Sequence, residues 1–161
     1  MVNIIEDPNI MLVEFDKKYL EIPNEIIIST LQNHQKYFPL FDDKDRLTNY
    51  FFVVANKPDN KNLIKDGNKK VVEARLADAK FFWDKDKSRN LIKQIGKLKK
   101  IIFYEKIGSI YDKTQRLRKL ASMLSDELNI NKDKIQIAAS ISKSDLCSDL
   151  VGEYPELQGV M

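Results

Sequence analysis

Five glycines, one histidine and one cysteine in 161 residues rule out several kinds of chemistry. Cys147 alone can close no internal disulfide and build no cysteine metal cluster, which fits a reducing compartment. The chain contains no G-x-G-x-x-G, no P-loop and no H-E-x-x-H, so phosphate-cradling loops and zincin-type sites are excluded. A helical metal phosphohydrolase needs several His and Asp ligands, and His34 is the only histidine available. No apolar run approaches the roughly 18 residues of a membrane span, and MVNIIEDPNIM lacks the basic start and apolar block of a signal peptide. A cytoplasmic protein without membrane contact is therefore expected. No catalytic residues and no metal ligands are assigned, and a self-contained enzyme is not expected.

What is present is core-forming residues and unevenly placed charge. Hydrophobic residues make up 43% and charged residues 32%, which suits a folded chain and not a disordered polyelectrolyte. The formal net charge is only +3, yet Lys85–Lys119 holds twelve Lys or Arg against Asp86, Glu105 and Asp112. Clustered cations are what a phosphate-facing surface requires. On charge alone a well-solvated helical surface explains the segment equally well.

Residues 1 to about 60 read as mixed α and β. Asn9–Phe15 (NIMLVEF) suits a strand, and Pro23 with Asn24 opens a helix-like stretch in which Ile27, Leu31 and His34 share a face. YFPLF contains Pro39 and reads as an edge strand, DDKDR as a turn, and NYFFVVAN (Asn49–Asn56) as the strongest strand, hairpinned to YFPLF. KPDNKN (Lys57–Asn62) is loop chemistry, which places a boundary at residues 57–66. Beyond it the hydrophobic period is helical. One helix, starting near Gly67 and Asn68, carries Val72, Leu76, Ala79 and Trp83. A second carries Leu91, Ile95, Leu98 and Ile102. A third, capped by Thr114, carries Leu117, Leu120 or Ala121, Leu124 and Leu128, and a fourth runs from about Asp133 through Ile141 and Asp145 towards Leu150. No strand is expected between these helices. The expected fold class is α+β: a small mixed part, residues 1–62, followed by a mainly helical part, residues 63–161.

Three local features have competing readings. His34 either packs on an inner helical face or recognises a polar partner together with Gln35 and Lys36. Arg75 and Asp78, at i and i+3, form a surface ion pair, unless Arg75 meets a phosphate. Phe81–Trp83 could stack on bases, but the helical stripe favours core packing for Trp83.

Four stretches, in order, carry a resemblance: LEIPNEIIISTLQNHQKYFPLFD, GNKKVVEARLADAKFFWDKD, FYEKIGSIYDKTQRLRKLA and SKSDLCSDLVGEYPELQGVM. Together they resemble the β subunit of the bacterial two-subunit-type glycyl-tRNA synthetase over nearly the whole chain. The resemblance implies an internal portion of a longer polypeptide: the end of a domain similar to the B3/B4 module of phenylalanyl-tRNA synthetase, then the start of one similar to the HD phosphohydrolase fold. The helical half has no histidine, and Asp145 alone would keep only one carboxylate of the HD-type metal set, so the hydrolase chemistry would be lost.

In that family the α subunit makes glycyl-adenylate, using ATP and Mg, while the β subunit binds and positions tRNA. The expected role is thus a non-catalytic, tRNA-positioning portion of a hetero-oligomeric glycine–tRNA ligase, with tRNA(Gly) and the α subunit as partners and no cofactor of its own. Candidate RNA contacts are Lys36, Arg75, Lys93, Lys97, Lys99, Lys100, Lys113, Arg116, Arg118 and Lys119, with the match strongest at Arg75, Lys113 and Arg116. The rival is a purely structural module for interdomain or α-subunit packing. A degenerate HD hydrolase ranks behind both.

Overall fold

A computed structural model describes residues 5–161. The chain divides into two compact units, one ending at Trp83 and one spanning Asp84–Met161. The α+β class holds, with an antiparallel sheet early in the chain and mostly helix after it.

In the first unit, strands β1 (Asn9–Glu14), β2 (Phe38–Phe41) and β3 (Leu47–Ala55) form an antiparallel sheet in the order β1-β3-β2. β3 takes the centre because its alternation is cleanest: Leu47, Asn49, Phe51 and Val53 are buried while the residues between them are not. Pro39 lies in the edge strand β2, where a missing N–H is tolerated. The β2–β3 turn is closed by Asp42, whose carboxylate accepts from the backbone N–H groups of Lys44 and Arg46 at 2.9 Å and from Arg46 Nε at 2.8 Å. The Arg46 guanidinium, with those N–H groups, holds that carboxyl at about 2.

Val13, Phe15, Ile26, Ile27, Leu31 and Phe51 are fully buried and form this unit's core, with the Tyr37 ring stacked 5.3 Å from Phe51. Helix α1 (Asn24–Ser29) runs on into a π-helical turn, Thr30–His34. The wider i→i+5 turn sets the helical phase back, so His34 is exposed and does not share the buried face of Ile27 and Leu31, contrary to the periodic reading. Helix α2 (Leu63–Lys87) starts earlier than Gly67, after Asp59 Oδ2 accepts from the Lys65 N–H at 2.8 Å. Val72, Leu76 and Ala79 are fully buried along it and Trp83 only partly. Glu73 accepts from the Asp16 N–H at 3.1 Å, and Asn68 Oδ1 accepts from the Tyr37 hydroxyl, so α2 is tied to the segments at both ends of the sheet layer.

The second unit departs from four uninterrupted helices. After a short α3 (Leu91–Gln94), capped by Asn90, the chain tightens into a 3₁₀ turn, Ile95–Lys100, and then forms a hairpin of β4 (Ile102–Tyr104) and β5 (Gly108–Ser109). The expected helix through Ile102 is therefore replaced by strands. Helix α4 (Ile110–Glu127) begins at Ser109 and not at Thr114, which is buried inside it with its hydroxyl donating to the Tyr111 carbonyl at 2.7 Å. Ser109 and Asp112 form a reciprocal capping box. α4 ends where Asn129 adopts φ 52°, and packs against α5 (Lys132–Ile141). The expected fourth helix is broken: a 3₁₀ turn, Ser144–Cys147, separates α5 from α6 (Asp149–Glu153). The start of α6 is held by Asp86, whose carboxylate accepts from the N–H groups of Asp149 at 3.1 Å and Leu150 at 2.8 Å. Among the described residues no helix is long and apolar enough to cross a membrane.

Candidate nucleic-acid interface

The ten candidate cations fall on different units. Lys36 and Arg75 belong to the first. Lys36 sits at φ 60° just past the π-helical turn and its ammonium curls back onto the Asn33 carbonyl at 2.8 Å. Arg75 is exposed on α2. The other eight lie in the second unit, where Lys93–Lys119 holds nine Lys or Arg against Glu105 and Asp112.

The local geometry of that segment explains how the cations reach solvent. Leu98 is fully buried and anchors the 3₁₀ turn, so Lys97, Lys99 and Lys100 around it are exposed; at three residues per turn, Lys97 and Lys100 line up one above the other. The hairpin follows directly. Its strand β4 is exposed at every position: Ile102 is 71%, Phe103 43% and Tyr104 58% exposed, with Ile107 in the turn at 51%. Lys113, from the first turns of α4, places its ammonium 3.9 Å from the centroid of the Phe103 ring, and the Lys99 ammonium lies 4.9 Å from that of Tyr111. Arg116, one turn further, donates to the Ile107 carbonyl at 3.1 Å and so holds the hairpin turn against α4.

Lys113 and Arg116 thus meet the hairpin directly, Lys99 lies over Tyr111 at the start of α4, and Lys97 and Lys100 are exposed on the turn that leads into the hairpin. Arg118 lies apart from them. Two residues after Arg116, it points about 200° away round the helix, where it donates to Gln115 at 3.1 Å and lines a groove of about 540 Å³ between α4 and α5 with Lys119, Ser122, Met123 and Gln136. Lys93 is exposed on α3. Lys85 and Arg89, part of the basic segment by counting, bind Asp149, and Arg89 also pairs with Asp86 at 3.0 Å. Arg89 and then Lys85 hold the Asp149 carboxyl at about 2. These two cations are structural.

Of the two acids within Lys93–Lys119, Glu105 is exposed in the hairpin turn. Asp112 is engaged by the start of its own helix, accepting from the Ser109 N–H at 2.8 Å and from the Ser109 hydroxyl at 2.7 Å, and these bonds lower its pKa. Further along, Asp145 accepts from the Gly159 N–H at 2.7 Å through one oxygen. Among the described residues no three His, Cys, Asp or Glu side chains converge on a metal position.

Residues that the periodic reading missed are Ile102, Phe103, Tyr104 and Lys106. The signal was present: Ile101–Tyr104 is a β-branched and aromatic run, and after three more residues comes a glycine, the pattern of a three-residue hairpin loop. Gly108 has φ 98° there.

Similarity to known proteins extends over the whole chain. The family model described as glycyl-tRNA synthetase beta subunit matches residues 1–161. Similar curated proteins include the glycine–tRNA ligase beta subunits of Thermodesulfovibrio yellowstonii, 42% identical over 98% of this chain, Listeria monocytogenes serotype 4b, 40% over 100%, and Janthinobacterium sp. (strain Marseille), 38% over 100%. The chain spans about a quarter of their length, 24%, 24% and 23% respectively.

Proposed function

This chain belongs to the glycyl-tRNA synthetase beta-subunit family, and on that premise we propose that it serves glycyl-tRNA synthesis as a tRNA-positioning portion of the ligase, without catalytic residues of its own. Activation of glycine with ATP and Mg falls in this reading to a separate α subunit, which together with tRNA(Gly) is the partner in a cytoplasmic hetero-oligomer. The carrying observation is that Lys113 and Arg116 meet one exposed hairpin while Lys97, Lys99 and Lys100 are exposed on the turn leading into it, with the neighbouring Asp112 carboxylate bound to Ser109. Such a surface neutralises phosphates without reading sequence, which is the work of positioning a folded RNA. In this reading residues 1–62 correspond to the end of a B3/B4-type domain and residues 63–161 to the start of an HD-like domain that has lost its metal chemistry.

The test is tRNA binding by the complete two-subunit ligase as a function of salt. Neutralising Lys97, Lys100 and Arg116 together should weaken binding and lower the slope of log K against log salt by about one for each phosphate no longer neutralised. Arg118→Gln, on the other side of α4, should leave the slope alone. An unchanged slope in the triple variant refutes RNA contact by this segment.

A second reading is supported by a different observation. On α4, Leu120, Met123, Leu124 and Leu128 are 57–66% exposed and share one helical face. A stripe of that size is the mark of a packing surface, and further β-subunit polypeptide, which the longer relatives possess, is its natural cover. Leu120 and Met123 follow Arg116 at i+4 and i+7, so the stripe continues the face of Lys113 and Arg116 further along α4, and the two readings divide that face along its length.

A further inference from the structure

Charge explains contact with phosphates, but it leaves the apolar hairpin at the centre of the cations unexplained. An isolated two-stranded ribbon is marginal in water, and exposing Ile102, Tyr104 and Ile107 on it adds to that cost unless something covers them. β4 carries one residue more than β5 between its two pairs, Ile102 opposite Ser109 and Tyr104 opposite Gly108, so exposure and contacts, not alternation, tell its residues apart. The Phe103 ring is already met by the Lys113 ammonium. Ile102 and Tyr104 each have over half of the residue in solvent.

We propose that this hairpin face is a stacking platform for unpaired nucleotides of the tRNA, with Tyr104 taking a base and the surrounding lysines the adjoining phosphates. The proposal rests on the RNA-contact reading above and names what that surface recognises. Protein interfaces are depleted in lysine, whereas this hairpin carries Lys106 in its turn, follows directly on Lys97, Lys99 and Lys100 in the chain, and has the Lys113 ammonium over Phe103. Exposed aromatics set among cations are the shared device of single-strand binders, in which every base offers a π-face and the backbone follows a positive track. Within a duplex stem each base is stacked between its neighbours and offers no face to such a ring. The hairpin is also held in place: Arg116 binds its turn, the Ile110 N–H donates to the Ile101 carbonyl at 2.8 Å, and Gly108 gives the turn its geometry. A rigid platform stacks without an ordering cost.

The experiment uses the complete two-subunit ligase with three probes: tRNA, a single-stranded oligoribonucleotide of mixed sequence, and a blunt RNA duplex. Tyr104→Ala should weaken tRNA and single-strand binding about five- to a hundredfold, the range of one lost base stack. Tyr104→Phe should retain both, duplex binding should not move, and the salt slope should stay at the wild-type value, because no cation is removed. A 2-aminopurine in the oligoribonucleotide should be quenched by the wild-type protein and less so by Tyr104→Ala. Unaltered single-strand binding in Tyr104→Ala, with a flattened slope in the Lys97, Lys100 and Arg116 variant, overturns stacking while leaving phosphate contact standing. No change in either variant overturns both. Loss of subunit assembly in Tyr104→Ala at unchanged RNA binding also overturns the proposal, since it makes the hairpin a protein-docking surface.

Discussion

Gly108 joins the hairpin to α4, and replacing it with alanine has a calculable cost. Two effects add. At φ 98° an L-residue is strained by roughly 1–2 kcal/mol. The new Cβ would also lie 2.5 Å from Asp112 Oδ2 and 3.1 Å from Asp112 Cγ, so the carboxylate must leave and the capping box at Ser109 opens. A lost N-cap interaction costs about 1 kcal/mol. Gly108→Ala should therefore destabilise the protein by about 2–3 kcal/mol, which lowers a melting temperature in this size range by about 4–12 °C. Gly96→Ala is the control, since a Cβ there meets nothing within 4 Å; it should change stability by less than about 1 kcal/mol. A double-mutant cycle separates the two effects. In an Asp112→Ala background the cap is already gone and the carboxylate cannot clash, so Gly108→Ala should cost only the strain portion. Urea unfolding of the four proteins gives the coupling. Equal costs of Gly108→Ala in both backgrounds would refute the clash, and a cost no larger than that of Gly96→Ala would refute the whole argument.

Two further outcomes follow from the second unit. The Asp149 carboxyl is held at about 2 against an ordinary 3.8, so between those values the native state binds fewer protons than the unfolded one. Its contribution is complete above about pH 4 and is lost as pH falls towards 2; in Asp149→Asn the acid limb of a stability-against-pH curve should flatten, and a superposed limb would contradict the assignment. Replacing Leu120 and Leu124 by serine should leave the tRNA salt slope unchanged but lower the melting temperature of the complete β subunit; an unchanged melting temperature would argue against a packing role for that stripe.

The first unit was legible because its signals are local and unambiguous. Pro39 bars YFPLF from a central position, the alternation through Phe51 and Val53 defines β3, and DDKDR offers an Asp that can accept two turn N–H groups. The second unit misled for a specific reason. Leu91, Ile95, Leu98 and Ile102 are spaced as on a helix, yet only Leu98 is buried, and it sits in a 3₁₀ turn. Spacing alone cannot separate a helical stripe from a 3₁₀ anchor followed by a strand; the glycine at 108 could have done so. The start of α4 was misplaced for a related reason. Thr114 has N-cap chemistry, but Ser109 with Asp112 three residues on satisfies two backbone donors where Thr114 would satisfy one. Of the candidate cations, exposure was foreseeable for most, but the turning of Arg118 into the α4–α5 groove depends on where α4 starts and on its neighbour helix. The phase error at His34 has a similar origin, since a π-helical turn has no distinct hydrophobic pattern.

The pairing of Asp86 with the start of α6 also orders events in time. Its two acceptor bonds link residues 63 and 64 positions apart, and the Arg89–Asp149 bond spans 60. While the ribosome is still adding the intervening residues, the Asp86 carboxylate and the Arg89 guanidinium have each other but no α6. Closure waits for Asp149 and Leu150 to emerge, and contacts of such separation form slowly because the chain entropy is lost before the bonds are gained. The sheet unit, complete in sequence by Trp83, can fold well before that moment. A stalled nascent chain released before residue 149 should accordingly carry a folded first unit and a second unit whose hairpin and α4 lack their final clasp.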